Sequence, residues 1–138
     1  MKGYVLGAIA CLIAGCAGQA GNQPLENTYW KLTQVDGAPV AAVERQREAH
    51  FILHPADRRV SGSGGCNGIG GNYELAGDRL TFGRMIRTMM ACETGMDTEN
   101  RFLAALSRAR KAAVSGQQLQ LLDADGKALA RFEAMHPR

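Results

Sequence analysis

The chain has 138 residues, 46% of them apolar and 21% charged, with a formal net charge of +3. That length allows one domain at most, and the composition is that of a globular protein. The charge is too small for nucleic-acid binding. The one basic cluster, Arg108, Arg110 and Lys111, falls at a predicted helix end where cations meet the helix dipole favourably. A single Trp, four Phe and three Tyr are also too few for a base-stacking surface.

Met1-Lys2 is followed by an apolar run, Tyr4 to Gly15, too short to span a bilayer as a helix and suited to a secretory signal. The run ends in Ile13-Ala14-Gly15-Cys16, which resembles the lipobox of bacterial lipoproteins. The resemblance implies cleavage before Cys16 and acylation there, palmitate included, with several acyl chains giving stable anchoring. Cys11 is the poorer match, because the residues ahead of it fit less well. Ala17 after the cysteine, rather than Asp, implies the outer membrane, facing the periplasm. Residues 1–15 are thus expected as a signal peptide and 16–26 as a lipidated cysteine and tether. Residues 27–134 are expected as the folded domain and 135–138 as a tail.

Within the domain, Thr28 to Val35 reads as a strand, and Asp36-Gly37 as a hairpin turn. Pro39 to Glu48 is loop. His50 to His54 and Arg59 to Ser63 form a hairpin across the turn at Pro55 to Arg58. Ser61 to Gly71 holds six glycines. Their spacing matches neither G-x-G-x-x-G nor a Walker motif, so they read as sites of positive φ and close chain crossing, not as a phosphate cradle. Asn72 to Leu75 and Arg79 to Phe82 form a second hairpin, and Met85 to Met89 continues extended. Thr94 to Asp97 has the form of a capping box. Met96, Phe102, Leu103, Leu106 and Ala109 then recur at helical spacing. Short strands at Ala112 to Val114, Gln118 to Leu122 and Leu129 to Glu133 close the sequence. Hairpin-length connections around one helix predict an α+β fold, a curved antiparallel sheet packed on a single main helix.

These segments resemble the META domain family, which includes heat-inducible HslJ-like envelope lipoproteins. The resemblance rests on Trp30-Lys31-Leu32, Gly65-Cys66-Asn67, Gly71-Asn72-Tyr73, Leu80-Thr81-Phe82 and Thr88-Met89-Met90-Ala91-Cys92. Phe102 to Leu106 and the pattern at Leu119 to Gly126 complete it. It implies a compact α+β domain on an envelope lipoprotein, in some members linked to stress or antibiotic tolerance. No catalytic residue and no cofactor come with it.

Cys66 and Cys92 are the sharpest chemical feature. An oxidising envelope favours a disulfide between them, worth roughly 3 kcal/mol for a loop of about 25 residues. Two buried thiols side by side are the alternative. Cysteine catalysis would need His50 or His54 as base, and no orienting partner is evident. Met85, Met89, Met90, Cys92 and Met96 form a sulfur-rich stretch, so a soft-metal or thiol-redox protein using Cys66 and Cys92 stands as the alternative function. Methionines alternating on a strand are more often core filler, and no zinc-type spacing is present. Glu93, Asp97 and Glu99 at the helix start read as charges complementing its dipole. The expected function is therefore a non-enzymatic envelope lipoprotein, bound to the membrane through Cys16 and to an unknown protein or envelope partner.

Overall fold

The computed structural model describes residue 3 and residues 21–136; Cys11, Cys16 and the signal segment lie outside the described residues. Among the described residues, ten strands and one helix follow in chain order. They are β1 (Tyr29–Val35), β2 (Ala38–Pro39), β3 (His50–His54), β4 (Arg59–Ser63), β5 (Gly68–Ala76), β6 (Arg79–Phe82) and β7 (Ile86–Arg87), then α1 (Met96–Arg108), β8 (Lys111–Ser115), β9 (Gln118–Leu122) and β10 (Ala128–Met135).

The expected open sheet on a helix is not what forms. Neighbours run β1–β3–β4–β5–β6–β8–β9–β10, and β10 pairs back onto β1 from Tyr29↔Met135 to Val35↔Ala130. Those eight strands make a closed antiparallel barrel, while β2 and β7 are short additions paired to β1 and β5. Closure removes the sheet edges that an open sheet would have to protect. The pairing runs one residue past the expected domain end at Ala134, since Met135 pairs with Tyr29.

Alternation places one face of each strand inside. Trp30, Leu32, Phe51, Leu53, Val60, Leu80, Leu119, Leu121 and Phe132 are all buried. A bulge in β1 between Leu32 and Gln34 shifts the phase, so that Val35 rather than Gln34 points inward. The aromatic rings show that the interior is shared. Phe51 of β3 meets Phe82 of β6 at 5.7 Å and Phe132 of β10 at 4.9 Å, both edge-on, and Phe102 of α1 lies 5.9 Å from Phe132. β3 and β6 lie three steps apart in the sheet order, so their rings meet across the enclosed core.

Each end of the barrel is covered. At the end bearing the β3–β4, β5–β6 and β8–β9 turns, the chain crosses from Asn22 to Asn27. Gly116 N–H donates to Asn22 Oδ1 (2.8 Å), Gln23 N–H to Gly116 O (2.9 Å), Trp30 Nε1–H to Leu25 O (2.9 Å) and Asn27 N–H to Leu53 O (2.8 Å). The Tyr73 hydroxyl donates to Glu26, and burial, reinforced by that carboxylate, raises its pKa. The packed domain thus begins earlier than the tether boundary suggested.

The helix is not a layer under a sheet. It crosses the opposite end, from the β4–β5 turn to the β9–β10 turn, where Arg108 meets Asp123 at 3.7 Å and Arg110 N–H donates to Leu122 O (2.8 Å). Asp123 holds that turn by accepting the N–H groups of Asp125 and Lys127 (both 2.9 Å); the bond from Lys127 does most to hold its carboxyl below the usual range.

Candidate functional site

Where α1 begins, three segments converge on one buried polar cluster. The β4–β5 turn is tight. Gly65 takes a φ of 114°, Gly64 N–H donates to Asn67 O (2.8 Å), and Gly65 N–H donates to Ser63 Oγ (3.0 Å). A side chain at Gly64 would place its Cβ 2.6 Å from Glu99 Oε1, so glycine is needed for the carboxylate to approach. The glycine-rich stretch therefore serves close chain approach, as its spacing suggested.

Asn67 uses every polar atom it has. Its Oδ1 accepts from Thr88 Oγ1 (2.9 Å) and Met90 N–H (2.7 Å), and its Nδ2 donates to Met90 O (3.0 Å) and Glu99 Oε2 (2.7 Å). Its own N–H donates to Glu99 Oε1 (2.6 Å). Glu99 is fully buried and also receives Arg87 at 3.2 Å, whose guanidinium reaches on to Asn100 Oδ1 (2.7 Å). Beside this cluster a disulfide joins Cys66 to Cys92 with Cα atoms 6.0 Å apart. No buried side-chain nitrogen or oxygen among the described residues lacks a partner.

The sulfur and histidine candidates separate. The disulfide leaves neither cysteine as a thiolate for a nucleophile or a soft metal. Met85 packs against the core, whereas Met89 is 90% and Met90 59% exposed, so the stretch is not simple core filler. His54 Nε2 meets Ser61 Oγ (2.7 Å), and His50 Nδ1–H donates to Glu48 O (2.8 Å), so these imidazole bonds go to Ser61 and Glu48 and not to a cysteine. Among the described residues, no three His, Cys, Asp or Glu side chains gather to hold a metal ion.

The carboxylates also divide. Asp97 pairs with Arg101 at 3.0 Å on the surface, and Glu93 is exposed. Glu99 alone turns inward, a role that the dipole reading missed. Its sequence signal is position: Glu99, Phe102 and Leu106 share the buried stripe of α1. The expected capping box does not form. Gly95, at φ 93°, is the N-cap with no side-chain cap, and the Thr94 carbonyl accepts from Gln46 Nε2 (2.8 Å).

That last bond pins the 40–49 loop over the helix start. A cleft of about 270 Å³ lies between them, with Leu32, Val40 and Ala49 on its apolar side and Lys31, Arg47 and Glu48 on its rim. At the rim, His50 stacks on Tyr29 with ring centroids 4.0 Å apart, and the Tyr29 hydroxyl donates to Glu48 Oε2 (3.2 Å). Burial, with Glu48 adding to it, pushes Tyr29 up to about 12. Burial also lowers the His50 pKa below its ordinary 6.5, against the opposing pull of Glu48. The unfolded chain therefore takes up this proton first. Stability is expected to hold above about pH 6.5 and to fall as the pH drops toward the lowered folded value. Denaturant titrations at about pH 7.5 and about pH 5.5 check this, and His50→Gln should flatten the difference. An equal slope in the variant would refute it.

Residues 23–136 match the META domain. The chain belongs to the META domain family. An NMR structure of a protein from Burkholderia xenovorans is 30% identical to this META domain, with a TM-score of 0.66 over 82% of this chain and 85% of its own. A second NMR structure, 22% identical with a TM-score of 0.61, covers 79% of this chain and 91% of its own, and shows the same fold. No curated protein matches the chain.

Proposed function

We propose that this META domain is a lipid-anchored envelope protein that acts by binding rather than by catalysis. The observation that carries the reading is the saturation of the Asn67–Glu99 cluster. Its carboxylate already accepts Asn67 and Arg87, and its neighbouring sulfurs are bonded to each other. A general base or nucleophile needs a free lone pair facing substrate, and this cluster spends its lone pairs holding a loop. The lipobox pattern at Ile13 to Cys16 supports the anchor, and Ala17 supports the outer membrane. Asn22 enters the barrel at the end opposite α1, so an anchor at Cys16 leaves the Met89–Met90 loop on the end away from the entering chain. The proposal includes a part in envelope stress tolerance, on the family resemblance alone.

The test is expression of the full chain in a bacterium fed a clickable palmitate analogue. Acylated chain is expected, lost in Cys16→Ser and retained in Cys11→Ser. A secreted, unacylated product cut elsewhere would remove the anchor.

A further inference from the structure

We propose that the outer edge of β7 receives an extended, acidic peptide segment of a partner protein as an added strand. The backbone register leads there. Thr88 N–H donates to Gly68 O (3.0 Å), with Arg87 opposite Ile69 and Ile86 opposite Gly70. Hydrogen-bonded pairs alternate along an antiparallel ladder, so Ile86 bonds to β5 while Arg87 turns its N–H and C=O away from it. The other side of β5 agrees. Gly64 bonds to Asn67 there, which makes Ile69 and Gly62 a bonded pair and points Ile69 at β4.

Among the described residues, no strand meets the outward groups. β7 pairs with β5 alone, and β6 joins β8 at the single position Arg79↔Lys111. Below that bridge the seam opens into a groove of about 390 Å³ between Arg84, Met85 and Arg87 on one wall and Asn100 and Leu103 of α1 on the other. An unpaired edge of this kind is a template for another chain. It is also held firm from behind, because Asn67 fixes Thr88 and Met90 and the disulfide fixes Cys92, so little ordering cost remains.

The side chains choose the occupant. Ile86 is 68% and Met89 90% exposed beside the edge. Arg84 is exposed and makes no ion pair among the described residues, while the Arg87 guanidinium is already turned inward to Glu99. Apolar side chains alternating with carboxylates match that surface, the carboxylates meeting Arg84. This gives the proposed binding role a surface, and it does not depend on the lipid.

The probe is a capped nine-residue peptide alternating valine and aspartate, added to the full chain in detergent micelles and followed by amide exchange and anisotropy. Slowed exchange over residues 84–89, Arg87 included, is expected. Affinity should fall about tenfold or more when alternate peptide amides are N-methylated. Arg84→Glu should reverse the preference, favouring a valine–lysine peptide. No binding, protection at the 40–49 loop instead, or indifference to N-methylation or to Arg84→Glu would overturn the proposal. Retention on phosphatidylglycerol vesicles that Met89→Asp abolishes would assign the patch to a lipid surface and likewise overturn it. Failure here with Cys16 acylated would leave the anchor standing.

Discussion

Replacing Glu99 by alanine is expected to destabilise the domain by about 3–5 kcal/mol, because the charge it removes is buried and its partners stay behind. Asn67 N–H and one proton of Asn67 Nδ2 would lose their acceptor in a buried site, and the part-exposed Arg87 guanidinium would be left with Asn100 Oδ1. Glu99→Gln separates charge from geometry. Its carbonyl oxygen can still accept one Asn67 donor, but the new NH2 then faces a second donor, so a smaller loss of about 1–3 kcal/mol is expected. Chemical denaturation measures both. The loss should also be local: amide exchange at Met90, whose N–H rests on Asn67, should rise in both variants before that of barrel strands such as β3. A Glu99→Ala protein as stable as the parent would mean that the desolvation of this carboxylate cancels its hydrogen bonds, and that the Asn67–Glu99 cluster does not hold the loop.

Glu99 also marks the limit of what the sequence makes legible. The strand limits were readable because turn chemistry is local. Asp36-Gly37 takes positive φ at both residues, and His50 to His54, Arg59 to Ser63, Arg79 to Phe82 and Gln118 to Leu122 have the bounds that their patterns predict. Barrel closure was not readable. Val35 and Ala130 meet across most of the chain, and inward alternation looks the same whether it faces a helix or the far wall of a barrel. The N-terminus of α1 was misread for a related reason. Thr94 and Asp97 have the right spacing for a box, but Gly95 supplies the left-handed turn and Gln46, from a distant loop, occupies the Thr94 carbonyl. Asn67 could be noticed as part of Gly65-Cys66-Asn67, whereas its bonds to Thr88, Met90 and Glu99 are tertiary and leave no spacing to count.

The same distinction between local and tertiary ties decides what the disulfide does. Cys66 and Cys92 are 26 residues apart, and a crosslink of that span is worth roughly 3 kcal/mol through the entropy it removes from the unfolded chain. Asn67 already holds the same loop to the same turn through Thr88 and both backbone groups of Met90. The bond therefore acts mainly on the unfolded state, and the folded loop should survive without it. Cys66→Ala with Cys92→Ala is expected to lower the unfolding free energy by about 2–4 kcal/mol while native-state exchange at Met90 changes little. Adding Asn67→Ala should then free the loop, giving a loss larger than the two changes summed, since each tie covers for the other. If the cysteine variant alone raised exchange at Met90 sharply, the covalent bond rather than the asparagine would be what holds the loop. The β7 edge would then stay ordered only under oxidising conditions, and peptide binding there would follow the redox state of the surroundings.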